Sequence, residues 1–106
     1  MMPGNPALTE ATYYILLSLH QPRHGYGIMQ QTEELSGGRV RLAAGTLYGA
    51  LNTLCDKGWI ALKNVEEDSR RKEYQLTEKG REILINEVRR LKELARNGGM
   101  ILGEEQ

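Results

Sequence analysis

The chain has 106 residues, 40% of them hydrophobic, with one cysteine and fourteen basic against fourteen acidic side chains. A chain of this size forms one domain around one core, and a single cysteine excludes an internal disulfide and a cysteine-rich zinc site. Neither a run of about 18 apolar residues nor a signal peptide is seen, so we expect a soluble, cytoplasmic protein. The polar face of the last predicted helix mixes charges and lacks tryptophan, which argues against a helix that lies on a membrane surface.

The first helix of the chain is predicted to follow a mobile arm. Residues 1–7 contain two prolines, which disfavour regular structure, and Thr9 is a good cap for a helix that runs to about His20. This helix is apolar or aromatic on nearly all sides. Because such a helix is normally covered on two sides, we expect its second cover to come from another subunit.

A connection around Pro22 precedes a second helix, which we predict from Gly25 to about Leu35. His24 and Tyr26 lie near its start, where exposed amides and the positive end of the helix dipole favour a phosphate. Both residues are therefore candidates for contact with nucleic acid. Packing of Tyr26 in the core is the alternative interpretation.

A third helix is predicted from Ala44 to Lys57, after a short strand over Arg39–Leu42, where apolar and polar residues alternate. Leu47, Leu51 and Leu54 are spaced at i, i+4 and i+7, so they form one stripe that faces a core. Gly58 follows directly and is predicted to end the helix.

The opposite face of the third helix is slim and polar. Gly45, Gly49 and Asn52 line up there, with Thr46 and Tyr48 on its two shoulders, although each helical glycine costs about 1 kcal/mol relative to alanine. We predict that Asn52 reads a base edge in the major groove, that Thr46 and Tyr48 hold phosphates, and that Gly49 provides clearance. Alternatively, the glycines make room for another helix of the same protein.

Two strand-like runs, Trp59–Val65 and Arg71–Leu76, form a predicted β-hairpin whose turn is polar. Arg70, Arg71 and Lys72 are consecutive at the end of this turn. Since a hairpin directly follows the third helix, we predict that these residues form a wing along the DNA backbone. A solvated charged surface is the alternative.

Charge is unevenly distributed along the neutral chain. Residues 39–72 contain seven basic and four acidic side chains, an excess of three positive charges. Because phosphate neutralisation depends on the local field, this basic segment can serve nucleic-acid binding while the neutral total predicts weak non-specific affinity.

Thr77 is predicted to cap the last helix, which should end at Asn97 and leave residues 98–106 as a flexible tail. A helix of about 20 residues is some 30 Å long, as long as a small domain is wide, so the core cannot cover all of its apolar stripe. The uncovered end predicts a homodimer. Candidate dimer contacts on the first and last helices are Tyr13, Leu16, Leu17, Leu84, Val88, Leu91, Leu94 and Ala95.

Three motifs together resemble the PadR family of bacterial transcriptional regulators. They are HGYGI at residues 24–28, GTLYGALNTLCDKGWI at residues 45–60 and RRKEYQLTEKGRE at residues 70–82. The resemblance covers roughly residues 8–94 and implies a mainly α fold with a small β-hairpin. It implies a winged helix-turn-helix domain for DNA binding over residues 1–76 and a long dimerisation helix over residues 77–97.

The resemblance further implies a homodimeric repressor that binds a pseudo-palindromic operator in double-stranded DNA without a cofactor. A small molecule or another signal would release it. Its reading helix would correspond to Ala44–Lys57 and its wing to Val65–Arg71. The chain departs from the family pattern in two places: Asn52, Thr53 and Cys55 stand where family members often carry basic residues, and the last helix has no aromatic residue for stacking planar drugs.

Two other classes of function compete with this interpretation. A winged helix that binds only proteins would share the fold, but the basic run before Glu73 argues against it. An enzyme would need a nucleophile with a base, paired carboxylates or a metal cluster, and none occurs at a useful spacing, so we predict no catalytic residues. His20 and His24 are four residues apart, yet Pro22 between them disfavours the continuous helix that would present both to a metal ion.

Overall fold

In a computed structural model, which describes residues 7–65 and 72–103, the chain forms a mainly helical domain with a small sheet. The elements are α1 (Glu10–Ser18), β1 (Arg23–His24), α2 (Gly25–Leu35), α3 (Ala44–Asp56), β2 (Ile60–Val65), β3 (Lys72–Leu76) and α4 (Glu78–Leu102). This architecture confirms the predicted fold class. The predicted arm up to residue 6, the hairpin turn with Arg70 and Arg71, and residues 104–106 lie outside the described residues.

The third helix has the predicted rotation. Leu47 and Leu51 are fully buried and Leu54 is nearly so, because their spacing places all three on one side of α3. The helix ends as expected: Gly58 has a φ of 77°, its N–H donates to Cys55 O, and the N–H of Trp59 donates to Leu54 O. These two bonds form a Schellman motif, which satisfies the last carbonyls of α3.

The sheet is antiparallel in the order β1-β3-β2. The predicted strand over Arg39–Leu42 is wrong, and the edge beside β3 is occupied by β1, which lies in the segment predicted as a connection. The physical reason is local bonding. Val40 N donates to the hydroxyl of Ser36 at 2.9 Å, so this stretch folds back onto the end of α2.

The last helix begins as predicted and continues further than predicted. The hydroxyl of Thr77 accepts a hydrogen bond from Gly80 N at 3.0 Å, which caps α4. The predicted end at Asn97 is wrong, since α4 passes through two glycines and ends at Leu102. Glycine weakens a helix by only about 1 kcal/mol without blocking it. Here Gly103 stops the helix with a φ of 73°.

One hydrophobic core joins α1, α2, α3, the sheet and the first half of α4. Its buried members are Ile15, Leu16, Leu19, Ile28, Leu47, Leu51, Leu54, Trp59, Ile60, Tyr74, Ile83 and Leu84. Two predicted dimer contacts need correction, because Leu16 and Leu84 are buried within the protomer itself. Neither has appreciable surface left for a second subunit.

Candidate nucleic-acid interface

The outward face of α3 is open. Gly45, Thr46, Gly49 and Asn52 are all exposed, on the side opposite the buried leucines. A Cβ atom added to Gly45 or Gly49 would meet no atom within 4 Å among the described residues. The glycines therefore do not accommodate another helix of the described protomer, and the face they flatten is available to a partner from outside.

Tyr48 connects this face to the start of α2. Its side chain is 46% exposed, and its ring lies against the backbone of Gly25, where an added Cβ would stand 2.7 Å from the ring carbon Cζ. Any side chain at Gly25 would displace the ring. This contact leaves no pattern in the sequence, because it joins one glycine and one aromatic ring that are 23 positions apart.

A cleft of 430 Å³ brings together residues from β1, α2, α3 and β3. Its lining consists of Pro22, Arg23, His24, Gly25, Tyr26, Gly27, Tyr48, Lys72 and Glu73. Four predicted site residues therefore share one surface, although they come from three separate stretches of sequence: His24 and Tyr26, Tyr48, and Lys72. Sequence reasoning missed Arg23, whose position on a strand of the sheet was not predicted.

His24 and the first backbone amides of α2 lie beside this cleft. His24 precedes the helix in an extended conformation and makes no side-chain capping bond, so the first amides of α2 have no cap from it. Its Nδ1 atom is buried without a hydrogen-bond partner among the described residues. Tyr26 is 69% exposed, so the alternative that it packs in the core is wrong.

Charge in the cleft is mixed, because Arg23 and Lys72 line it together with Glu73. One donor of the Arg23 guanidinium is already used, because its Nε donates to Ser18 O at 2.7 Å. Phenol hydroxyls, a lysine ammonium and uncapped amides are groups that bind phosphate oxygens. The arrangement therefore suits the backbone of a nucleic acid.

Cys55 on α3 is half-buried and is not part of a disulfide. Burial raises the pKa of the Cys55 thiol above its ordinary value. Among residues 7–65 and 72–103, no group of three histidine, cysteine or carboxylate side chains could hold a metal ion. None of the helices described there has the length and apolar character needed to cross a membrane.

The predicted dimer surface lies away from the cleft. Tyr13 and Leu91 line a depression of 300 Å³ between α1 and α4, while Leu94 is 52% exposed further along α4. Tyr13, Leu17 and Val88 are half-buried, and Ala95 is exposed. Beyond residue 90, the second half of α4 has no buried residue in the protomer.

Glu87 marks the inner end of that uncovered half. It is only 3% exposed and accepts two hydrogen bonds from Arg90, each 2.7 Å long, and a third from Leu8 N at 3.1 Å. The bonds from Arg90, with the one from Leu8, hold the pKa of this carboxyl below its usual value against the opposing effect of burial. The bond from Leu8 N to the same carboxylate ties α4 to the segment that precedes α1.

Comparison with known proteins places the chain among regulators of transcription. The family model described as "Transcriptional regulator PadR-like family" matches residues 15–86. An uncharacterised 37.1 kDa protein in transposon TN4556 of Streptomyces fradiae is 39% identical over 74 residues, which are 70% of this chain. The chain spans only about 20% of the length of that relative.

Solved structures with the same fold include a PadR family transcription regulator from Clostridium difficile R20291. It is 26% identical, with a TM-score of 0.75, and the match covers 89% of this chain and 99% of that one. The PadR protein of Bacillus subtilis, solved in complex with operator DNA, is 27% identical with a TM-score of 0.61. That match covers 71% of this chain and 44% of the other.

Proposed function

Because this chain belongs to the PadR-like family of transcriptional regulators, we propose that it is a homodimeric repressor that binds a pseudo-palindromic DNA operator. In this proposal α3 enters the major groove, and residues 1–76 form the winged helix-turn-helix unit. Residues 77–97, which include most of α4, serve the dimer. A small-molecule or stress signal releases the protein from DNA.

The open face of α3 is the observation that carries the proposal. Two glycines there, Gly45 and Gly49, contact no other element of the described protomer, and they share this face with the exposed Asn52. A bare helix surface lets the backbone approach the floor of a groove, where an asparagine amide can pair with adenine. The B. subtilis relative that was solved with operator DNA supports the same use of the fold.

Phosphate contacts would come from groups beside this face. Thr46 lies at the start of α3, and Tyr48, Tyr26, His24 and Lys72 surround the cleft at the start of α2. Such contacts fix the register of a protein on the duplex without reading sequence. Arg70 and Arg71, which the sequence predicts as the basic part of a wing, would add contacts of the same kind.

Dimerisation would use the apolar surface that the protomer leaves open. The proposed contacts are Tyr13, Leu17, Val88, Leu91, Leu94 and Ala95, the members of the predicted set that retain surface. A two-fold dimer presents two reading helices to half-sites one helical turn apart, which is why the operator is proposed to be pseudo-palindromic. Burial of these side chains against a second copy would provide the driving force.

Selection from a pool of random duplex DNA tests the proposal. The purified protein is expected to enrich one sequence with two inverted half-sites, and to bind it as two chains per duplex in analytical ultracentrifugation. Enrichment of no sequence, with binding of the pool no tighter than that of a neutral control protein, would favour a protein-interaction module. Enrichment of a single, unrepeated half-site would reject the dimeric part of the proposal.

A further inference from the structure

We propose that Thr77 and Gly80 are positioning residues for the reading helix, because they fix the angle between α3 and α4. This inference rests on the proposed function, since it assigns α3 to DNA and α4 to the dimer. Backbone contacts join the residues that follow α3 to the first turn of α4. We call residues 57–59 together with residues 77–80 the junction.

Thr77 bonds to both sides of the junction. Its hydroxyl accepts the capping bond from Gly80 N and also donates to Gly58 O at 2.6 Å, while its backbone N–H donates to Trp59 O at 3.0 Å. A helix cap needs only the first of these bonds. The other two attach the start of α4 to Gly58 and Trp59, which follow the end of α3.

Gly80 sets how closely the two helices approach. It is buried, and a Cβ added there would overlap the carbonyl group of Trp59, standing 2.8 Å from the carbonyl carbon. The obstructing atoms belong to the backbone, so no side chain can rotate away. Any residue larger than glycine must move the start of α4 off the end of α3.

The same carbonyl of Trp59 both accepts the bond from Thr77 N and contacts Gly80, so one peptide group is held from two sides. Lys79 adds a longer bond from its ammonium to Lys57 O, at 3.5 Å. Three consecutive carbonyls after α3 therefore receive groups from one turn of α4. These bonds restrain the first turn of α4 relative to the end of α3.

The length of α4 turns a small change at the junction into a large displacement. Its 25 residues correspond to about 38 Å, so a rotation of roughly 10° about the junction moves its far end by about 7 Å. Adjacent base pairs are separated by about 3.4 Å along the duplex. If the far half of α4 holds the second copy, the junction sets the distance between the two reading helices in the dimer.

The preferred separation between operator half-sites tests whether Gly80 sets the position of the reading helices. Wild type, Gly80→Ala and the matched control Glu82→Ala, which changes an exposed residue of the same helix, would be titrated with duplexes whose selected half-sites are separated by different numbers of base pairs. We expect Gly80→Ala to shift the preferred separation by at least about one base pair. Its affinity for a duplex with a single half-site should stay within about twofold of wild type, because α3 itself is unaltered.

A uniform loss of affinity at every spacing, with the preferred spacing unchanged, would overturn the inference, because Gly80 would then act on stability alone. Thr77→Val and Thr77→Ser provide the comparison if Gly80→Ala does not fold. Valine removes the hydroxyl and is expected to shift the preferred spacing, whereas serine retains the hydroxyl and should restore the wild-type value. An unshifted Thr77→Val variant would contradict the proposal.

A measurement without DNA separates this inference from the proposed function. Spin labels on Thr53→Cys in α3 and Arg89→Cys in α4, in a Cys55→Ser background, report the distance between the helices within one chain diluted by unlabelled protein. Gly80→Ala is expected to lengthen or broaden this distance and Glu82→Ala to leave it unchanged. If Gly80→Ala and Glu82→Ala both give the wild-type distance distribution, the inference is wrong. If Gly80→Ala changes the distance but no variant binds any duplex, only the proposed function is rejected.

Discussion

Two helices of this protein leave a surface uncovered, and the two surfaces differ in kind. The open face of α3 is flat and polar, with glycines around Asn52, and the opposite face of the same helix is fully buried. Among the described residues, nothing buries a side chain of the second half of α4, whose exposed large apolar residues are Leu91, Leu94, Met100, Ile101 and Leu102.

The difference indicates two kinds of partner. A polar, narrow face gains little from burial alone, so its partner must supply hydrogen-bonding groups in a groove. An apolar face gains about 25 cal/mol for each Å² removed from water, so its partner need only be apolar and complementary in shape. This contrast supports the proposal that DNA binds the first surface and a second copy of the chain binds the second.

Leu91→Asp should have the largest effect on function. In the protomer Leu91 is 37% exposed, so the fold should survive the change, but a carboxylate in the apolar seam of a dimer costs several kcal/mol. We expect monomers in sedimentation experiments and loss of operator binding. As a control, Asn86→Asp introduces the same side chain on the polar side of α4 and should remain dimeric. If both variants dissociate, the dimer contacts assigned to Leu91 are wrong.

Leu51→Ala tests the buried face of α3. The side chain is fully buried, so its truncation should lower the free energy of unfolding by about 2 to 5 kcal/mol. Urea denaturation measures this loss, and binding should fall only as far as the protein unfolds. Leu62→Ala makes the same change at an exposed position of β2 and should cost much less. Equal losses in the two variants would contradict the core assigned here.

Asn52→Ala tests the open face and should leave thermal stability nearly unchanged. We expect it to relax preference at one base pair of each half-site, by about 1 to 3 kcal/mol of discrimination, in a competition assay with mutated operators. Tyr48→Phe, which loses only a hydroxyl, should weaken binding evenly across sequences, because a phosphate contact carries no base information. An unfolded Asn52→Ala variant would show that the faces of α3 are assigned the wrong way round.

The smallest effect concerns acid stability at Glu87, where the covered half of α4 ends. The pKa of Glu87 is lower in the folded protein than in the unfolded chain. The stability that the ionised carboxylate contributes is therefore complete above the unfolded pKa of about 4.3, and it is lost as the pH falls through the folded pKa. Glu87→Gln should therefore unfold at lower denaturant than wild type near neutral pH. The two proteins should converge as the pH falls through the lowered folded pKa of Glu87, and a constant difference down to lower pH would contradict this linkage.

Features that depend on one short segment of the chain could be predicted from the sequence. Three leucines at helical spacing fixed the rotation of α3, and Thr9, Gly58 and Thr77 marked helix ends through bonds to neighbours a few residues away. Local bonding leaves a local pattern of residue types. These features could therefore be predicted without a structure.

Features made by distant or purely backbone contacts could not be predicted. The strand β1 has two residues and pairs through its backbone, so it leaves no alternation to detect. The contact of Gly25 with Tyr48 and that of Gly80 with Trp59 each depend on an absent side chain. The all-round apolar surface of α1 could not separate Leu16, which is buried in the core, from residues that remain accessible.

The junction also contains the only tryptophan of the chain. Trp59 is 6% exposed, and the ammonium of Lys57 stands 4.7 Å from the centre of its ring. The emission of an indole responds to nearby charge and to water, so the native fluorescence of this protein reports on the place where α3 meets α4. Any ligand that alters the angle between the helices should therefore change the tryptophan spectrum of the unlabelled protein, which allows effectors to be screened optically before the operator is known.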